Sequence, residues 1–387
     1  MTDEETNVTT TLSADQAQLY DRGIRLWGMD AQQRLGASTV LVLGMTEAAA
    51  EVCKNVVLAG IARLVVVFAE SEDAIGGAGS NMFVRPEDAE AEPSHTARCE
   101  RVLARIRALN GYVRVEALHV RDWSAPTLAA ALPPAALAPF DYVCVCTNAV
   151  PVAAAAALDA RCRTAGPSFL DIRLFGTRAF LFCDMPLFDP SASTVASSAS
   201  TDAEGVHHAA KRVRPEHRCT LPRGPCYADV LGLSDADYAA LRVPRVVHAV
   251  RRLHAGSTAE ADAEEAALLA VYGGPHAEAA CVCAVVGGVA SQEVVKELMR
   301  DHQPPESVSE AAPAAPAQAV STEEQRRRQQ ARHQRQNATG RPLCNVLCYD
   351  CIEGTGDVFF VAHSEVERLA SAAAITAAAL ADATEIL

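Results

Sequence analysis

Tyr20-Asp21-Arg22-Gly23-Ile24-Arg25-Leu26-Trp27-Gly28, then Thr39-Val40-Leu41-Val42-Leu43-Gly44, then Leu64-Val65-Val66-Val67-Phe68 decide the fold. The two aliphatic runs are short, β-branched and bounded by glycine, as strands buried on both faces of a parallel sheet are. Between them, Glu47 to Leu58 has helical length and carries Val52, Val56 and Ala59 at helical spacing. Strand, tight turn, helix and strand make a βαβ unit, the opening of a nucleotide-binding fold.

A nucleotide site at that turn wants G-x-G-x-x-G, because glycines let backbone N–H groups approach phosphate at the helix N-terminus. This chain has Gly44-Met45-Thr46-Glu47-Ala48-Ala49-Ala50. Only the first glycine is present. Glu47 adds negative charge where phosphate would sit, and Ala48 and Ala50 add methyl groups. At the end of the second strand, Phe68-Ala69-Glu70 puts Ala where an acidic ribose ligand would fall. The fold is that of a nucleotide binder, yet the loop is degenerate, and no cofactor is expected in this chain.

Tyr20-Asp21-Arg22-x-Ile24-Arg25-Leu26-Trp27-Gly28, Ala31-Gln32, Arg34-Leu35 and Glu51-Val52-x-Lys54-Asn55-x-x-Leu58-Ala59-Gly60 resemble the entry segment of ubiquitin-family activating enzymes, which are built from MoeB/ThiF-type repeats. Cys283-Ala284-Val285-Val286-Gly287-Gly288-x-x-x-Gln292-Glu293-Val294-x-Lys296 resembles the glycine-paired helix of the same family. Within the family, the pattern is most similar to the smaller, non-catalytic subunits of SUMO-activating enzymes, over roughly residues 16–185, 219–302 and 343–362. The resemblance implies an α/β, Rossmann-like fold with a mostly parallel sheet, a small helical insertion and a C-terminal hairpin. It also implies a heterodimer with a larger catalytic subunit, which holds Mg-ATP, adenylates SUMO and carries it on a cysteine. Arg22 would reach across to the ATP phosphates in the partner's site, and Val285, Val286, Gly287, Gly288 and Val289 would lie at the dimer contact.

Further departures from the active pattern point the same way. The slots for an ATP-contacting asparagine and arginine in the resembled motif are Gly79 and Ser80, within Gly79 to Arg85. Cys146-Thr147-Asn148 offers no carboxylate where active halves bind magnesium, a cation that wants hard oxygen ligands. Arg98 stands near a phosphate-contacting lysine of active halves, and could keep such a contact or be a solvated surface residue. Asp171 reads as a structural cap rather than a base. Two alternatives stay open: the equivalent subunit of the neddylation pathway, and a self-contained nucleotide-binding homodimer.

The 387 residues divide into a polar N-terminus (1–14), a Rossmann-like domain (15–185), a Ser/Ala-rich linker (186–218), a helical insertion with the glycine-paired helix (219–302), a low-complexity insertion (303–342) and a hairpin with an Ala-rich helix (343–387). The segment from Asp15 to Leu35 should be largely helical, with Ile24, Leu26 and Trp27 turned inward. No apolar run reaches the roughly 18 residues of a bilayer span, and the N-terminus lacks signal-peptide character. A net charge of −14 argues against general nucleic-acid binding. Thirteen cysteines without a secretory signal suggest reduced core thiols in cytosol or nucleus. Lys211-Arg212-Val213-Arg214-Pro215 reads equally as a nuclear-localisation patch or a solvated basic run, and the nucleus, with some cytoplasm, is the expected location. Cys281-Val282-Cys283 and Cys344, Cys348 and Cys351 raise a metal site, but Cys344, Val346, Cys348 and Asp350 alternate along a strand and Cys281 starts a helix instead of forming CxxC pairs on loops, so no metal is expected.

Overall fold

Three short helices lead into the sheet: α1 (Ala14–Leu19), α2 (Asp21–Trp27) and α3 (Met29–Leu35). Ser13 and Gln16 form a reciprocal capping box at the start of α1. The expected helical entry is therefore present, broken at Tyr20 and Gly28. Leu26 corrects the reading of its inward face. It is 46% exposed, because α2 lies against α3 and only Ile24 and Trp27 turn partly inward.

The computed structural model describes residues 12–71, 81–85, 94–186, 223, 225–232, 279–300, 346–351 and 355–359. Within these, the two aliphatic runs become β1 (Thr39–Leu43) and β2 (Arg63–Ala69), joined by α4 (Glu47–Ala59). They pair in parallel with Val40 opposite Leu64. Next come α5 (His95–Arg107), capped by the Ser94 hydroxyl, β3 (Arg114–Val120), α6 (Ala125–Ala131), α7 (Pro134–Leu137) and β4 (Tyr142–Val145). They are followed by α8 (Val152–Ala165), β5 (Ser168–Phe175), β6 (Arg178–Asp184), α9 (Tyr227–Gly232), α10 (Ala280–Met299), β7 (Val346–Asp350) and β8 (Thr355–Phe359).

All eight strands form one sheet in the order β3-β2-β1-β4-β5-β6-β7-β8. The first five are parallel; β5–β6, β6–β7 and β7–β8 are antiparallel, so the expected C-terminal hairpin is present. Alternate residues of β1 serve two cores. Val40 and Val42 face α3, α4, α5 and α10, while Leu41 and Leu43 face α6, α7, α8 and α9. That two-sided burial is why β1 carries an unbroken aliphatic run. Of the expected helical insertion, α9 and α10 are described; the linker, the low-complexity insertion and the C-terminal helix lie outside the described residues, apart from Pro186.

Helix α10 sits directly on α4. A Cβ on Gly287 would lie 2.6 Å from Glu51 Cβ and 3.1 Å from the Ala48 carbonyl oxygen, whereas one on Gly288 would meet nothing within 4 Å. Both glycines are interior to the helix, where each costs roughly 0.5–1 kcal/mol relative to alanine. The two alanine variants should therefore move stability in opposite directions. Gly288→Ala should gain up to about 1 kcal/mol, while Gly287→Ala should lose roughly 1–3 kcal/mol by overpacking. Urea unfolding of both variants checks this, and a shift of the same sign in both would refute the close crossing.

Candidate functional site

The strand order reverses between β1 and β4, since the chain runs outward from β1 to β3 and then returns to the far side of β1. In open parallel sheets the crevice beyond the carboxyl ends of two such strands is where ligands bind. Here it is bounded by Gly44 to Glu47 after β1 and Cys146 to Asn148 after β4.

The crevice is bridged by the chain's own side chains. Gly44 has φ +89, and a Cβ there would lie 2.7 Å from Thr147 Cγ2, so the Thr147 methyl packs directly onto the turn. The Thr46 hydroxyl donates to the Cys146 carbonyl at 2.5 Å and accepts from the Ala49 amide at 3.2 Å. That second bond caps α4 and occupies one of the N–H groups a phosphate would use. The buried Asn81 side chain donates to the carbonyls of Met45 (2.9 Å) and Thr46 (3.1 Å), bracing the loop from the segment before α5.

Glu47 is only 7% exposed. Burial holds its carboxyl above the ordinary value, with a hydrogen bond to Cys283 of α10 opposing that shift. Ala48 and Ala50 are fully buried. Asn148 is tied to the sheet: its side chain donates to the Leu174 carbonyl and accepts from the Leu174 amide at 3.1 Å. Beneath it, the fully buried Asp171 accepts from Arg173 at 2.7 Å and from the Tyr227 hydroxyl at 2.5 Å. Arg173 in turn donates to the Val150 carbonyl at 2.5 Å and the Thr147 carbonyl at 3.5 Å. Asp171 thus anchors a buried network under the loop that carries Thr147 and Asn148.

The remaining expected site residues are spread apart. Arg22 is exposed near the start of α2 and makes no hydrogen bond or ion pair among the described residues. Arg85 is exposed, and Arg98 is half-buried with its Nε sealed from solvent. Gly79 and Ser80 lie outside the described residues. The proposed interface stretch divides in two: Val286 and Gly287 turn into this chain's own core, while Val285 is 43% exposed and Gly288 and Val289 are half-buried. The helical period explains the split, since Cys283, Val286, Gly287 and Ala290 share the side that faces α4. Thr147 and Asn81 were not legible as site residues, because neither completes a pattern until strand order sets them beside Gly44 and Met45.

Cys53, Cys144, Cys162 and Cys183 are buried; burial pushes the Cys53 thiol up to about 12 and the others well above the usual range. Cys281 and Cys351 approach to 3.6 Å at the start of α10. Among the described residues, only His95, Cys99 and His119 bring three possible metal-ligand side chains together.

The ThiF family model matches residues 20–345, most of the chain. This chain belongs to the ThiF family. It is 39% identical over 108 residues to SUMO-activating enzyme subunit 1 of Danio rerio, a match covering 28% of this chain and 29% of that protein. Against the Xenopus laevis protein of the same name it is 41% identical over 112 residues, 27% of this chain and 29% of the relative. These matches span about three tenths of the length of the relatives. Among solved structures it is similar to PaaA (TM-score 0.47, 11% identity, 92% of this chain and 86% of that one). It is also similar to E. coli MccB with succinimide (TM-score 0.46, 11% identity, 89% and 72%).

The raised Glu47 carboxyl makes stability depend on pH in a definite direction. The folded chain holds this proton to higher pH than the unfolded chain, whose value is near the ordinary 4.5. Its contribution is complete below that value and is lost as pH rises through the folded value. Glu47→Gln should flatten this loss, giving a smaller fall in urea midpoint between acid and neutral pH than the parent protein shows. Parallel pH profiles for the two proteins would place the Glu47 carboxyl in solvent.

Proposed function

We propose that this chain is the non-catalytic subunit of a heterodimeric SUMO-activating enzyme, supporting a larger partner that binds Mg-ATP, adenylates SUMO and accepts it on a cysteine. The observation that carries this reading is the bridged switch-point crevice. Thr46, Thr147 and Asn81 occupy the turn where a nucleotide phosphate would sit, and Glu47 places a carboxyl beside it. Membership of the ThiF family and the partial similarity to SUMO-activating enzyme subunit 1 support this choice of pathway. On this reading the chain contributes Arg22, the outward side of α10 and structural support, acts with SUMO in the nucleus and some cytoplasm, and uses neither nucleic acid nor a membrane. No helix among the described residues is long and apolar enough to cross a membrane.

Three measurements test the proposal. The purified chain alone should neither bind ATP at micromolar concentration nor exchange pyrophosphate into ATP; calorimetric binding to chain free of its partner would exclude this role. In the reconstituted heterodimer, Arg22→Ala should leave association intact while slowing SUMO-adenylate formation at saturating ATP by roughly 10²–10³-fold, the usual loss for one charge-stabilising contact. Lys at position 22 should rescue only partly, because a point charge cannot reproduce the planar fork. Wild-type adenylation by an intact Arg22→Ala dimer would make Arg22 an ordinary surface residue.

The third measurement separates interface from core on α10. Val285→Asp should leave the melting temperature of the isolated chain unchanged and weaken co-purification with the partner, since the position is open in this chain and apolar at an obligate interface. Val286→Asp should instead unfold the chain by burying an unpaired carboxylate. Undiminished pull-down with Val285→Asp would move the interface elsewhere.

A further inference from the structure

The geometry points to a metal site that is separate from the nucleotide-type crevice: His95, Cys99 and His119 bind one zinc-like divalent ion. His95 and Cys99 stand four residues apart on α5 and so share one helix face. His119 is the penultimate residue of β3, the edge strand against which α5 packs. Their ligand atoms all lie within 4.8 Å of one another.

The spacing suits tetrahedral coordination. His95 Nδ1 lies 3.6 Å from Cys99 Sγ and Nε2 lies 3.9 Å from it. Zinc bonds of about 2.3 Å to sulfur and about 2.0–2.1 Å to nitrogen, at a tetrahedral angle, put the two donors about 3.6 Å apart. Either ring nitrogen of His95 can be aimed by turning the imidazole, and His119 needs to close by about an ångström to reach the same distances.

The surroundings hold the donors in place. The His119 ring stacks on Phe68, its register partner in β2, with centroids 5.9 Å apart, and meets the His95 ring edge-on at 6.1 Å. His119 Nδ1 is sealed from solvent and has no hydrogen-bond partner among the described residues. A buried nitrogen in that state costs free energy, and a bound ion can use its lone pair once the ring turns. Cys99 is fully buried, while the two histidines are half-buried and leave a way in.

Two imidazoles and a thiolate select a borderline-soft ion such as zinc over magnesium or calcium, which want oxygen. Two charged groups act on His95 from nearby: Arg98 opposes a cation and Glu70 favours it. The Cys99 thiolate therefore supplies the decisive negative charge, its proton leaving to solvent on binding. Three protein ligands leave one position for water.

The test uses the full, reduced chain, stripped with chelator and titrated with Zn²⁺ by calorimetry and with Co²⁺ by absorption. The parent protein should bind one equivalent of Zn²⁺ at least tenfold more tightly than either His95→Gln or His119→Gln, the loss expected when a metal-site contact is removed. Its cobalt form should show a thiolate charge-transfer band that both variants weaken. Cys99→Ser disturbs a fully buried position, so the two histidine variants, checked for folding by circular dichroism, carry the test. Equal Zn²⁺ affinity in parent and both variants would assign binding to other thiols, and absence of binding to the parent would likewise overturn the site.

Discussion

Helix α10 can lie on α4 only because residue 287 has no side chain, and much of the molecule depends on that approach. It joins segments more than a hundred residues apart in sequence. Asn55 donates to Ser291 at 2.9 Å, Arg34 donates to the Met299 carbonyl at 2.6 Å, and Ser168 meets Glu297 at 3.3 Å. With α10 seated, Val282, Val286, Ala290 and Val294 complete the core beside α4 and over β5 and β6. Without it, one face of the central strands would be open to water, at roughly 25 cal/mol for each Å² of apolar surface exposed.

The same seating changes the chemistry of the switch point. Cys283 reaches Glu47 from α10, and α10 covers the start of α4, so a carboxyl that would otherwise be solvated is drawn inward. A helix N-terminus beside a glycine turn is a ready anion site when its amides are open. In this chain the Thr46 hydroxyl caps it and the Thr147 methyl lies over the turn. An architecture suited to phosphate has become a packed junction between strands, and that turns attention to the outer surfaces, Arg22 and Val285 above all.

Charge below the junction is handled by pairing. Asp171, Arg173 and Tyr227 are all buried; Arg173 and Tyr227 both donate to Asp171, and Arg173 also donates to the Thr147 and Val150 carbonyls. Nearby, Arg163 meets Asp184 at 2.7 Å and Arg223 meets the same carboxylate at 3.5 Å. Such pairs contribute little net stability but are costly to break singly, because the surviving charge is left buried. They fix where the β4–α8 loop and α9 sit, and so fix the shape of the closed crevice.

The sequence by itself determined the βαβ opening, the parallel pairing of its two aliphatic strands and the degenerate glycine loop. Each is written in local spacing: unbroken aliphatic runs at Val40–Leu43 and Leu64–Phe68, a helical period between them, and alanines where close-approach glycines would be. Only the tertiary structure decided what faces what. Leu26 looked inward by composition but lies on the open side of a helix that packs on α3 and not on the sheet. Val286 looked like an interface residue but points at α4. Thr147, Asn81 and Cys283 act on the β1 turn from three distant segments, and His119 meets His95 and Cys99 because strand crossover puts β3 at the sheet edge beneath α5. Periodicity records which side of its own element a residue occupies; the neighbour on that side is set by the crossover connections, which no short stretch of sequence contains.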